Sequence, residues 1–424
     1  MQTSIEVEYW VIDREGELTD PGALLDHSAQ VDPEFVEPVL ELKTTPCESV
    51  GELRSTFVDL LEGVLARAAE LEKGLVPLGT PINGEPIDRR PGERGRIQEA
   101  VVGSNFAFSK YCAGTHLHFE QRNVVDQLNA LIALDPALAL CNSSPYLHGE
   151  RVAAGARAYC YRRLGYADFP KHGQLWHYVD TVAQWHRRLD RRYDEFRDAA
   201  MAEDVDPEAF DEQFSPDDVV WTPIRLREEM PTVEWRSPDA TLPSQLLRLA
   251  EAVDGVLEAA HHTNVRVAGE RESDVGRAEG GGRTDTDERR ADRGGRTDTG
   301  GGRDGDGQTD SNSGIDAGWD RAVESEYPPQ IDAGAAGLTE EALVLPAFEP
   351  LCDLVGAAMH DGMAADPVVD YLERMGMPTD DFHPLSAQID GREYVPVSDA
   401  RELRLEFADR LESDVAALAA EGDR

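Results

Sequence analysis

Lysine is almost missing from this 424-residue chain: Lys43, Lys73, Lys110 and Lys171 are the only ones, and Arg supplies the remaining cations. Asp and Glu total 83 against 41 Lys and Arg, a formal net charge of −42. That deficit excludes a nucleic-acid-binding surface, which needs a basic stripe to displace counterions, and it disfavours docking on anionic lipid. An acid excess carried through the whole chain at the expense of Lys predicts a halophile surface, because molar salt screens the self-repulsion that would loosen a compact state. Cysteine is scarce too. Cys47, Cys112, Cys141, Cys160 and Cys352 form no CxxC pair and cannot all pair within one chain, which fits a reducing cytoplasm. No apolar run approaches the roughly 18 residues of a spanning helix, and MQTSIEVEYWVID lacks a basic segment leading into an apolar one. A soluble cytoplasmic protein without a secretory signal is expected. No GxxxxGK[ST] phosphate loop occurs.

What is present falls into three parts. Residues 1–266 carry periodic segments. From 267 to 327 the chain turns polar and Gly-rich, with TDT recurring and hardly an apolar anchor, so it cannot offset its ordering entropy and reads as a disordered acidic insertion or linker. Residues 328–424 read as helices packing on the first part: EEALVLPAFEPLCDLVGAAMHDG, DPVVDYLERMG and DARELRLEFADRLESDVAALAAEG. Within the first part Ser49 and Glu52 make a capping box for a helix ended by Lys73-Gly74, and further helices are predicted near 126–140, 173–198 and 244–262. Short alternating segments lie between them without a regular βαβ rhythm. This predicts an α+β fold with a mainly antiparallel sheet.

Four of those segments share one pattern. The strand period of two puts Glu6 and Glu8 on one face of SIEVEYWVI, opposite Ile5, Val7, Tyr9 and Val11. VLELKTT does the same with Glu41 and Lys43, GTHLHFE with His116, His118 and Glu120, and PTVEWRSPD with Thr232, Glu234 and Arg236. An antiparallel sheet can leave such a face simply solvated. Carboxylates and imidazoles in this density would repel across adjoining strands, however, unless cations sat between them. Sites rich in carboxylate, with few nitrogen donors and no thiolate, suit Mg²⁺ or Mn²⁺ better than structural zinc. Ions of that kind clamp ATP phosphates during phosphoryl transfer. Downstream, NSSPYLHGERVAAGARAYCYRR supplies Arg151, Arg157, Arg162 and Arg163. Of all the arginines, Arg162 and Arg236 are the candidates for gripping phosphate or carboxylate oxygens.

In order and spacing, SIEVEYWVID, ELKTTP, GTHLHFE, NSSPYLHGE with its following GARAYCYR, and TVEWRSPDA resemble the glutamate–cysteine ligase type 2 family of carboxylate–amine ligases, and its haloarchaeal members in particular. The resemblance covers roughly residues 4 to 262. It implies a glutamine-synthetase-like catalytic fold with a curved sheet, ATP and Mg²⁺ as cofactors, and a γ-glutamyl phosphate that an amine attacks. Glu6 and Glu8 match the family's paired acidic strand, with Val7 in place of its central Glu. Glu41, His116 or His118, and Glu234 match its metal ligands, and Arg162 and Arg236 its phosphate or carboxylate arginines. Glutamate and cysteine are the substrates so implied. From the residues alone another amine acceptor stays open, as do a metal-dependent hydrolase with His116 and His118 on zinc, and a binding scaffold without turnover. Glu120 is the candidate base for the incoming amine. The cysteines read as small buried hydrophobes, the reacting thiol belonging to the substrate.

Overall fold

Each of the four charged strands lies hydrogen-bonded to another. The computed structural model describes residues 1–228, 230–269, 327 and 330–422. In chain order the strands are β1 (Thr3–Ile12), β2 (Val31–Pro33), β3 (Val39–Lys43), β4 (Gly74–Val76), β5 (Thr115–Glu120), a short hairpin of β6 (Tyr146–Leu147) and β7 (Glu150–Arg151), β8 (Ile224–Arg227), β9 (Thr232–Trp235), β10 (Asn264–Val267), β11 (Gly337–Leu338) and β12 (Ala342–Leu345). The main sheet runs β2-β3-β1-β5-β9-β8, with β4 also on β1, and every pairing in it is antiparallel. The α+β expectation with a mainly antiparallel sheet flanked by helices is met.

One face of this sheet is the core. Ile5, Val7, Tyr9 and Val11 of β1, Leu40 and Leu42 of β3, Leu117 and Phe119 of β5, and Val233 and Trp235 of β9 are all buried. Helices Val50–Glu70 and Val124–Leu134 pack against strands of this sheet, and Pro243–His262 packs on both helices; Leu53, Phe57, Leu61 and Val64 of the first and Leu246, Leu249, Val253 and Leu257 of the last are buried. Removing such side chains from water contributes about 1.5–3 kcal/mol each, so the alternation fixes the register: a one-residue slip would expose this whole set.

Helix Val50–Glu70 starts as its sequence predicts, the Glu52 amide donating to Ser49 Oγ at 3.2 Å. It stops earlier than predicted. Leu71 caps it, Glu72 takes a left-handed φ of 59°, and Gly74 already belongs to β4. A second correction falls at EEALVLPAF, read as helix, where Ala342–Leu345 is strand β12, parallel to β10, and the helix begins only at Phe348. A short apolar run ended by a proline satisfies either reading until a partner strand takes up its amides. That partner, β10, occupies Asn264–Val267 at the edge of the polar stretch; residues 270–326 of that stretch lie outside the described residues.

The stretch Val124–Cys141 overturns the expectation of no span-length apolar run. It is apolar and long enough to cross a membrane by composition, yet 78% of it is buried within the protein. Its helix ends at Leu134 and continues as a 3-10 turn over Asp135–Cys141, with Asp135 itself fully buried. The long C-terminal helix Val397–Gly422 is tied to the N-terminal part through Arg404, whose buried guanidinium donates to the carbonyls of Gly16, Pro81 and Asn83.

Candidate active site

The polar face of the sheet gathers the residues that its alternation marks. Register sets Glu8 opposite Glu41, Glu6 between Lys43 and His116, and His118 opposite Glu234, which in turn faces Arg225. His116 is the hub. Its Nδ1 lies 3.3 Å from Glu6 Oε2, 3.6 Å from Glu234 Oε1 and 4.0 Å from Glu41 Oε1, and its Nε2 lies 4.0 Å from Glu8 Oε1. Four carboxylates from three separate strands thus surround one imidazole. His118 points to the same face, with Nδ1 3.1 Å from Thr232 Oγ1 and Nε2 3.4 Å from Glu6 Oε2. Simple alternation holds through β5, so both histidines reach the cluster.

Three overlapping sets of ligand atoms lie within 4.8 Å of one another: Glu6, His118 and Glu234; Glu6, Glu41 and His116; Glu8, Glu34 and Glu41. Glu34 escaped the sequence reading because it sits past the end of β2, where no alternation marks it. Glu234, His118, His116 and Glu41 are buried and Glu6 and Glu8 half-buried, so this face is not a solvated one.

Burying so much like charge has a cost that the groups register individually. Burial, with Glu6 and Glu8 nearby, pushes the Glu41 carboxyl up to about 7 although Lys43 Nζ stands 2.6 Å from it. Burial and repulsion from Glu8 and Glu41 likewise raise Glu34. Burial would raise Glu6 as well, yet the facing imidazoles of His116 and His118 hold it well below the ordinary carboxylate range. His116 is pushed down, mainly by burial and then by Arg236, so it is poised to offer a neutral nitrogen. The donor set of carboxylates and two imidazoles without thiolate fits a hard divalent cation. The buried Nε2 of His118, which makes no hydrogen bond, fits the same ligand.

The other end of the face is cationic. Arg236 Nη1 binds Glu234 Oε1 at 2.9 Å and Arg227 Nη1 lies 3.4 Å from Glu234 Oε2. Burial and these charges oppose one another at Glu234, and Arg236 prevails, holding the carboxyl well below its usual range. Arg225 is buried and its Nη2 has no hydrogen-bond partner; burial and then the neighbouring Arg236 push it down to about 10. Neither Arg225 nor Arg227 was singled out from sequence. The alternation in IRLR was their signal.

An open, solvent-accessible pocket joins both ends: Glu8 and His116 on one side, Arg236 and Arg157 on the other, with Tyr161 and Trp221 as aromatic walls. Gly114 is required here, since a Cβ would stand 1.9 Å from Arg157 Nη2. Its amide also donates to Glu8 Oε2 at 2.6 Å.

Arg162 reaches the pocket. Its terminal nitrogens donate to fully buried Asp135, at 2.6 and 3.2 Å, and to Ser237 Oγ at 2.8 Å, which anchors the guanidinium in the pocket wall. The π-helical turn Cys160–Gly165 that carries Arg162 directs it toward Asp135. Arg151 and Arg163 are engaged elsewhere, with Asp390 and Tyr327. Glu120 lies one strand step beyond the cluster, opposite Thr232. It is 43% exposed, accepts from the Gln2 amide and lies 3.5 Å from Arg122. Sharing the face was not enough to bring it to the pocket. Four cysteines are buried and unpaired, and Cys352 is exposed.

The polar face thus sets a carboxylate–imidazole cluster beside a group of arginines on one antiparallel sheet. The model of glutamate–cysteine ligase family 2 matches residues 5–291, and the chain belongs to that family. A protein of Chloroflexus aggregans with the provisional name glutamate–cysteine ligase 2 is 27% identical over 185 residues, 40% of this chain and 45% of its own length. One from Paracoccus denitrificans with the same provisional name is 24% identical over 250 residues, 56% of this chain and 60% of its own. The chain thus spans about half the length of the curated relatives it matches. Among solved structures, the glutamate–cysteine ligase of Francisella tularensis in complex with AMP aligns with 100% of this chain and 94% of its own, at 13% identity and a TM-score of 0.49. A bifunctional glutathione synthetase from Pasteurella multocida aligns with 59% of this chain and 37% of its own, at 16% identity and a TM-score of 0.39.

Proposed function

We propose that the chain ligates the γ-carboxylate of glutamate to the α-amine of cysteine at the expense of ATP, giving γ-glutamylcysteine, ADP and phosphate through γ-glutamyl phosphate. The observation that carries this reading is the convergence of Glu6, Glu8, Glu41 and Glu234 on His116, with Arg225, Arg227 and Arg236 flanking them. A carboxylate is a poor electrophile until phosphorylated, and phosphoryl transfer needs charge neutralisation more than a protein nucleophile.

Glu6, Glu8, Glu41, Glu234, His116 and His118 would hold Mg²⁺ or Mn²⁺, which supplies Lewis-acid neutralisation of phosphate oxygens when bound. Arg236 presents a guanidinium to the developing negative charge, kept in place by Glu234. Arg225 and Arg227 supply surplus positive charge beyond what Glu234 neutralises. Tyr161 and Trp221 narrow the pocket and reduce water beside the acyl phosphate, which would otherwise hydrolyse. The proton lost by the attacking amine goes to a group within the pocket. Half-buried Glu120 does not line it.

The test is an ADP-release assay at high KCl, chosen because a charge of −42 needs screening, with glutamate and each candidate amine, followed by mass detection of the dipeptide. Product with cysteine alone supports the reading. Product with another amine moves the acceptor, and ATP-independent cleavage of a γ-glutamyl amide replaces ligation by hydrolysis.

A further inference from the structure

We propose that Asp135 is a positioning residue for the cationic wall of the pocket: through Arg162, Trp235 and Ser237 it fixes the backbone and direction of Arg236. Asp135 lies in the apolar run LIALDPALAL and is fully buried, a place where an unpaired carboxylate would be strongly unfavourable. Its partners share one address. Oδ2 accepts from Arg162 Nη1 at 2.6 Å, while Oδ1 accepts from Arg162 Nη2 at 3.2 Å, Trp235 Nε1 at 3.1 Å and Ser237 Oγ at 2.5 Å. Trp235 and Ser237 are the residues on either side of Arg236.

The same segment is gripped from the pocket side. Arg157 Nη1 lies 3.2 to 3.3 Å from the carbonyls of Arg236, Ser237 and Pro238. A carboxylate on one side and a guanidinium on the other thus hold the four consecutive residues Trp235 to Pro238, and Arg236 reaches from among them to Glu234. Ser237 Oγ also accepts from Arg162 Nη2, so Arg162, Ser237 and Asp135 close a ring of hydrogen bonds. A ring with every member satisfied is rigid, and it would hold a guanidinium within the few tenths of an ångström that charge stabilisation demands.

A buried ion pair could instead serve only stability, and the experiment separates the two. Asp135→Asn keeps the shape but sets an amide against the Arg162 donors whichever way it turns. Expected is a fall in kcat of about tenfold to 100-fold with KM for ATP changed far less, the size known for a misplacement of about 1 Å. In an Arg236→Lys background the same substitution should cost less than about twofold more, because the residue being positioned is gone. Ser237→Ala should lower kcat and Ser237→Thr, which keeps the hydroxyl, should restore it; this pair serves if Asp135→Asn does not fold. A lowered Tm with unchanged kcat, or full additivity with Arg236→Lys, overturns the proposal.

The kinetic arm rests on the ligase reading, so a crystal structure of Asp135→Asn, or of Ser237→Ala in its place, supplies a second readout. A shifted Arg236 supports positioning even if the wild-type chain turned over no amino-acid pair. An unmoved Arg236 overturns it even if the chain proved a ligase.

Discussion

The two ends of the polar face are opposites. On β1 and β3, Glu6, Glu8 and Glu41, joined by Glu34, crowd together with Lys43 as the cation beside Glu41 and Asp32. On β8 and β9 and just beyond, Arg225, Arg227 and Arg236 crowd around Glu234, with Asp217 also acting on Arg225. β5 runs between them and contributes His116 and His118, which touch the acidic end directly and the basic end through Glu234. Each end carries an excess of one sign. A ligand with cations at one end and anionic oxygens at the other would relieve both.

That contrast can be broken from either side. The largest effect is expected from Glu234→Gln, because Glu234 belongs to both ends. Turnover should fall by about three orders of magnitude. The buried arginines left unpaired should also cost about 3–5 kcal/mol, discounted for the partly exposed Arg236, so thermal unfolding must be followed beside kcat. A variant with normal activity would break the assignment. Next come two matched variants, each read by calorimetry. Glu41→Gln should weaken Mn²⁺ binding about tenfold to 100-fold and leave tripolyphosphate binding in the absence of metal unchanged. Arg225→Gln should do the reverse, weakening tripolyphosphate about tenfold to 100-fold and leaving Mn²⁺ alone unchanged. If each substitution affects both ligands equally, the two ends are not separate in function. The smallest effect is expected at Glu120→Gln, with kcat/KM within about twofold of the parent, since that residue lies outside the cluster. A large loss there would return Glu120 to the chemistry and extend the acidic end along β5.

How far the sequence reached depends on the kind of signal each residue left. The strand period of two made Glu6, Glu8, Glu41, His116, His118 and Glu234 visible together, because alternation needs only neighbours in the chain. Arg225 and Arg227 carried the same signal in a four-residue strand, too short to stand out beside helical segments. Glu34 had no periodic signal. Its place beside Glu8 and Glu41 follows from the loop that joins β2 to β3. Arg162 was visible by residue type, but its pairing with Asp135, 27 residues earlier in the chain, left no local signal. Strand β12 was misread for a related reason, since only its partner strands β10 and β11 distinguish it from a helix start.

The sequence by itself determined which side chains share a strand face and which face is greasy, since both follow from backbone geometry and the cost of hydrating apolar groups. It also set the acid excess of the chain. Only the tertiary structure decided that His116 stands among four carboxylates, that Glu120 is left outside, and that Arg162 pairs with a buried carboxylate at the wall of the pocket. Those outcomes turn on which strands pair and in what register, and pairing is a contest among distant segments that no local pattern can settle.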